Sequence, residues 1–210
     1  MRKKRMATRK RSALGWLAAL CLLVLFCLWT GLYGLTPQSA LRRQGQYFFV
    51  GDLTLVDSVR DGYETDFGAG RVLAAENDGC LLLGLARWTP WRGWQAGFAW
   101  PVERTDSAVD AVGAYYSWDF EGERYPHVLF GYVNDPRTAR VRFQGDGLPP
   151  VDAVLRTDQA GRRYFLEEYV ADSPGSVRLT ALDGQGGVLE ERPLSRDGRQ
   201  AYISLTYDDM

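Results

Sequence analysis

Few residues in this chain could act as nucleophiles or as acid–base groups. It contains a single histidine, His127, and Cys80 is the one cysteine outside a long apolar run. A Cys80–His127 pair would be the sole Cys–His arrangement available for covalent catalysis. Cys80 opens an apolar stretch, however, where a cysteine is typically a small buried hydrophobic residue. Since the chain also lacks a G-x-S-x-G motif, we expect no catalytic residue.

The sequence also offers few residues or motifs that could bind a metal or a cofactor. One histidine cannot supply the ligands of a His₃, His₂Glu or HExxH zinc site. The Gly-x-Gly segments at 68–70 and 145–147 lack the rest of a phosphate-binding or dinucleotide-binding motif, so they predict turns. We therefore expect no bound metal and no cofactor. Paired carboxylates for glycoside hydrolysis stay open as an alternative, because the 26 acidic residues offer many pairs.

The most unusual group of side chains is aromatic. The segment 87–100 (RWTPWRGWQAGFAW) interleaves arginines with tryptophans. Trp rings stack on flat ligand faces and on guanidinium groups, and Trp and Arg are enriched in interface hot spots. The candidate binding residues are Trp88, Trp91, Arg87 and Arg92. Their ligand would be a glycan, a peptide or a partner protein.

A structural interpretation of the same segment competes with this one. Trp94, Phe98 and Trp100 have the same-face spacing of a strand, so they could simply fill a core. Trp88 and Trp91 flank Pro90 and are the better candidates for exposed side chains. Both interpretations stay open at the level of the sequence.

Charge divides the chain into two unequal parts. Residues 1–35 hold seven basic residues and no acidic one, whereas 36–210 hold 18 arginines, no lysine and 26 acidic residues, a net charge of −8. The basic residues are Arg2, Lys3, Lys4, Arg5, Arg9, Lys10 and Arg11. The acidic larger part argues against a nucleic acid as partner.

The segment 13–35 contains 23 residues without a charge. As a helix it would be about 35 Å long, enough to cross a bilayer core of about 30 Å. Trp16, Trp29 and Tyr33 lie towards its ends, where aromatic rings favour the membrane interface, and the basic block would keep the N-terminus in the cytoplasm. We expect a single-pass protein of the cell membrane with an extracytoplasmic C-terminal part. A signal peptide cleaved after Ala40 is the alternative.

The remaining residues predict a mainly β architecture. A short helix is expected at 37–45, and period-two patterns with turn residues between them predict strands. These strands are 53–59, 63–68, 71–76, 80–86, 94–101, 112–118, 128–133, 139–144, 151–156, 162–170, 176–182, 187–192 and 200–207. The nearly apolar run 80–86 predicts a central buried strand, and Asn77-Asp78-Gly79 predicts a hairpin turn.

The domain organisation follows from these elements. We expect a basic cytoplasmic tail at 1–12, a transmembrane helix at 13–35, and a helix plus antiparallel β-meander at 36–126. Seven short strands at 127–210, separated by turns, predict an immunoglobulin-like β-sandwich. The Cys…Trp…Cys spacing of antibody domains is absent, and no intramolecular disulfide is expected.

Residues 128–193 contain the motifs FGYVND, ARVRF, RRYF and VRLTALDGQGGVLEE. In these motifs the segment resembles a β-sandwich module of membrane-anchored and secreted proteins of Gram-positive bacteria. The resemblance implies a location at the bacterial surface and no enzymatic role, and it transfers no catalytic residue.

Together these features predict a membrane-anchored, non-catalytic protein that binds, senses or scaffolds. Its partners would be the lipid bilayer and an envelope protein or a glycan. Two alternatives stay open: a glycan-acting envelope enzyme that uses paired carboxylates, and a purely structural spacer.

Overall fold

The computed structural model describes residues 2–29, 34–47, 50–60, 70–116, 125–145, 149–171, 176–195 and 202–205. Within these ranges the helices are α1 (Arg2–Trp29) and α2 (Pro37–Tyr47). The strands are β1 (Thr54–Arg60), β2 (Gly70–Glu76), β3 (Cys80–Thr89), β4 (Gly93–Glu103), β5 (Val109–Tyr116), β6 (Tyr125–Val133), β7 (Arg140–Gly145), β8 (Val151–Asp152), β9 (Arg156–Thr157), β10 (Arg163–Ala171), β11 (Ser176–Leu182), β12 (Val188–Ser195) and β13 (Tyr202–Leu205).

The predicted membrane-spanning helix is wrong. No helix in the described ranges is both long enough and apolar enough to cross a membrane. Helix α1 includes the basic block as well as residues 13–29 of the charge-free run. The single-pass anchor and the cell-membrane location predicted from it are therefore not supported. The large apolar side chains that the structure describes on α1, between Trp16 and Phe26 and at Trp29, are at least half exposed.

The strands form three sheets. The first sheet has the order β1-β2-β3-β4, the central sheet β13-β5-β6-β10-β9, and the outer sheet β12-β11-β7-β8. Every strand pair is antiparallel except β13, which pairs in parallel with β5. The chain is thus mainly β, as the sequence predicts.

Helix α2 and the three sheets lie in successive layers, and a hydrophobic core separates each described layer from the next. The first core lies between α2 and the first sheet, the second between the first and central sheets, and the third between the central and outer sheets. Strand β3 shows how alternation serves two cores: Leu81 and Leu83 face the central sheet, while Leu82 faces α2. The run 80–86 is buried throughout and lies between β2 and β4, which confirms the predicted central strand.

Short polar side chains close the turn between β2 and β3 and cap the N-terminus of α2. Asn77 accepts hydrogen bonds at Oδ1 from the N–H groups of Gly79 (2.9 Å) and Cys80 (2.8 Å), which closes the predicted β2–β3 hairpin. Thr36 begins α2, where its Oγ1 accepts from the Ser39 N–H and Pro37 supplies the first helical residue. The predicted strand 63–68 lies outside the described residues, and β1 pairs instead with 70–76.

The layered arrangement also differs from the predicted subdomains. The expected strand 151–156 is two short strands, β8 in the outer sheet and β9 in the central sheet, because the chain changes layers at 153–155. Strands β5 and β6 pair across the predicted boundary at 126/127. The sheets of 127–210 therefore include a strand from outside that range, and the boundary itself stays a prediction.

Candidate functional site

The hairpin of β3 and β4 ends in the segment that carries the candidate binding residues. Trp88 pairs with Trp94 and Thr89 pairs with Gly93, so residues 90–92 form the turn. Gly93 has φ +68°, a left-handed conformation that favours glycine. We call residues 88–93 the hairpin tip.

The exposure of the tryptophans in and beside the hairpin tip distinguishes the two interpretations of the aromatic run. Trp91 is 89% exposed and Trp88 is 38% exposed, and Arg92, which follows Trp91, is also exposed. Trp94, by contrast, is half-buried against the core under α2, while Arg87 is half-buried at the base of the tip. The side chain of Trp100 lies outside the described part. The tryptophans therefore divide between surface and core.

A backbone contact to Gly34 holds the hairpin tip in place. The Gly34 N–H donates to the Arg92 carbonyl (2.9 Å), and the Trp94 N–H donates to the Gly34 carbonyl (2.7 Å). A Cβ at position 34 would collide with the Trp94 carbonyl oxygen, so the close approach requires glycine. Leu35, which follows, is 63% exposed and extends the apolar surface of the tip. No local sequence pattern could have predicted this contact between distant segments.

We predict that Gly34→Ala loosens the hairpin tip. Its Cβ would displace the Trp94 carbonyl and break both hydrogen bonds to residue 34. Amide hydrogen exchange at Trp94 should accelerate about tenfold or more, which corresponds to about 1.4 kcal/mol of local opening free energy. Gly184→Ala is the matched control, because a Cβ there meets open space. Unchanged exchange at Trp94 in Gly34→Ala would refute the anchoring role of this contact.

A second polar site lies where the first and central sheets meet. Glu76, only 7% exposed at the end of β2, accepts hydrogen bonds from both Arg104 and Arg162. The two guanidinium carbons lie 5.1 and 4.6 Å from the ring centroid of Tyr132 on β6. Cation–π attraction and a shared carboxylate therefore fix both arginines against one phenol ring.

Electrostatics at this site favour the charged form of Arg162 and the neutral phenol of Tyr132. Burial, and then the negative charge of Glu76, raise the pKa of Tyr132 above its ordinary value. The hydrogen bond to Glu76 raises the pKa of Arg162, although its partial burial opposes this. Burial alone would raise the pKa of Asp158, but hydrogen bonds from Arg162 outweigh it and lower this pKa. The Arg162 Nε lies 2.9 Å from the Asp158 carboxylate.

A cavity of about 310 Å³ opens beside these side chains. Arg104, Tyr132 and Arg162 line it together with Asn134 and Arg163. Arg163 donates to the main-chain carbonyls of Thr138 (2.6 Å) and Asp135 (3.1 Å), and Asn134 Nδ2 donates to the buried Asp110 carboxylate (3.0 Å). We call this cavity the arginine pocket. Sequence reasoning missed it, and the adjacent Arg162-Arg163 was the sole local signal.

The candidate nucleophile and base lie in different sheets. Cys80 begins β3 in the first sheet, and His127 belongs to β6 in the central sheet. Burial raises the pKa of the Cys80 thiol, which disfavours the reactive thiolate. The His127 side chain lies outside the described part. Among the described residues, no group of three or more His, Cys, Asp and Glu side chains could hold a metal.

The predicted membrane residues lie in and near α1. Trp16 and Trp29 are exposed on this helix, and Tyr33 lies outside the described residues. The basic residues between positions 2 and 11 lie within α1. Because no described helix is suited to span a membrane, their predicted roles at the membrane interface and in topology lose their basis.

Comparison with known proteins finds no family model that matches the chain, no similar curated protein and no similar solved structure. The resemblance at 128–193 therefore stays a prediction.

Proposed function

We propose that this protein is a non-catalytic binding module whose hairpin tip docks a partner protein. The observation that carries the proposal is Trp91, 89% exposed on a turn that two backbone hydrogen bonds tie to Gly34. A large indole kept in water gains free energy when a partner removes it from water. Because the turn is tied down, little conformational entropy is lost on binding.

The surroundings of Trp91 suit a protein surface. Trp88 and Leu35 add exposed apolar area, and Arg92 supplies a cation at the edge of the patch. Aromatic and arginine side chains are enriched at the centres of interfaces. The partner surface expected from this chemistry is an apolar pocket for the indole with a carboxylate near Arg92.

The test compares Trp91→Ala with the native chain. The partner is recovered by capture on the immobilised native chain, purified, and then titrated against each variant. Removal of a hot-spot Trp costs about 2 kcal/mol or more, so we expect the Kd to rise at least about tenfold. Val154→Ala is the matched control, since Val154 is also exposed (62%) but lies between β8 and β9.

Three outcomes would overturn the proposal. Equal affinities of Trp91→Ala and the native chain would remove the hairpin tip from the interface. Saturable binding to a purified glycan, lost in Trp91→Ala, would replace the protein partner by a carbohydrate. Hydrolysis of an envelope glycan, abolished by one Asp or Glu substitution, would favour the enzyme alternative.

A further inference from the structure

The wall of the arginine pocket carries an unusual set of charges. Three guanidinium groups line it, from Arg104, Arg162 and Arg163, together with the Asn134 amide and the Tyr132 phenol. No carboxylate is among the described residues that line it. Such a wall contrasts with the net charge of −8 over residues 36–210. The described lining of the pocket thus presents arginines and no carboxylate, on a protein whose larger part is acidic.

Carboxylates hold two of these guanidinium groups from outside the pocket lining. Glu76 bonds to both Arg104 and Arg162, and Asp158 bonds to Arg162. These contacts order the arginines before any ligand arrives, which lowers the entropy cost of binding.

The third guanidinium group, that of Arg163, is held by the main chain. Its terminal nitrogens donate to uncharged main-chain carbonyls, those of Thr138 and Asp135. Its position therefore comes from the backbone, and its charge is not consumed by a carboxylate within the lining of the pocket. Preorganised guanidinium groups of this kind form strong charge-assisted hydrogen bonds with oxyanions.

We propose that the arginine pocket binds a small molecule through an oxyanion, either a carboxylate or a phosphate group. The cavity volume of about 310 Å³ lies at the lower end of the range for small-molecule sites. The arginines supply donors, and the apolar Val133 and Pro136 border the rest of the cavity. This site is independent of the hairpin tip.

The test titrates the full native chain with inorganic phosphate and, separately, with glutarate at constant ionic strength. Amide shifts in the NMR spectrum should saturate with a Kd of about 10 mM or tighter for at least one anion. The shifts should concentrate at Arg104, Asn134 and 161–163. Residues 178–180 on β11, in the outer sheet, should not respond. The tighter of the two anions identifies the ligand group.

Arg104→Gln should weaken this binding at least about tenfold, because it removes one guanidinium while Arg162 keeps its bond to Glu76. Arg178→Gln removes an equal charge from an exposed pair with Glu191 and should leave the Kd unchanged. Linear, non-saturating shifts in the native chain, or shifts centred elsewhere, would overturn the proposal. The native-chain result decides the question even if Arg104→Gln fails to fold.

Discussion

Glu76→Gln is expected to lower the free energy of unfolding by about 3 kcal/mol. Glu76 is buried and is the shared acceptor of Arg104 and Arg162, so the neutral amide leaves two guanidinium groups without their common counter-charge. Removing one partner of a buried pair typically costs about 3–5 kcal/mol. We choose the lower end because the Arg162 side chain is 44% exposed and remains bonded to Asp158. Equilibrium urea unfolding measures the difference.

Glu191→Gln is the matched control for this prediction. Glu191 bonds to Arg178 on the outer sheet, and both side chains are exposed. Exposed ion pairs contribute about 0–1 kcal/mol, so the control should lose little stability. If the two variants lose equal stability, Glu76 does not organise the contact between the first and central sheets.

Phe165→Ala is expected to destabilise the protein by about 4 kcal/mol. Phe165 on β10 is fully buried in the third core, where its ring lies 5.3 Å from that of Phe143 on the outer sheet. Truncation of a buried Phe removes its burial free energy and leaves a cavity, which together cost about 3–5 kcal/mol. Gly131 packs against the same ring and cannot fill the space with a side chain of its own.

The control for the core prediction is again Val154→Ala. Because Val154 is exposed, its truncation should change the free energy of unfolding by less than about 0.5 kcal/mol. A loss in Phe165→Ala as small as in this control would contradict the packing of the outer sheet on the central one.

The strands could largely be predicted from sequence, whereas their layering could not. The nearly apolar run 80–86 and the turn residues at 77–79 predict a buried strand and its hairpin locally, and both agree with the structure. The segment 151–156 shows the limit of this approach. Its pattern predicts one strand, but the chain passes there from the outer to the central sheet, which depends on packing between distant segments.

The two candidate sites also differ in how far the sequence predicts them. Pro90 between Trp88 and Trp91 predicts a loop, and these two side chains are exposed in the structure. The arginine pocket brings together Arg104, Tyr132 and Arg162 from three different strands or their ends, so no spacing along the chain predicts it. The charge-free run at 13–35 led to a wrong prediction. Its length and apolar composition predicted a membrane-spanning helix, but no helix among the described residues is long and apolar enough to be one.

Photo-crosslinking at position 91 tests the binding role of the hairpin tip most directly. Trp91 is replaced by the photo-reactive residue benzoylphenylalanine, which keeps an aromatic side chain, and Val154 is replaced in the same way as a control. We expect a protein adduct at position 91 that excess native chain suppresses and excess Trp91→Ala does not, with no such adduct at position 154. Equal adducts at both positions, or competition by Trp91→Ala as strong as by the native chain, would contradict the proposed interface.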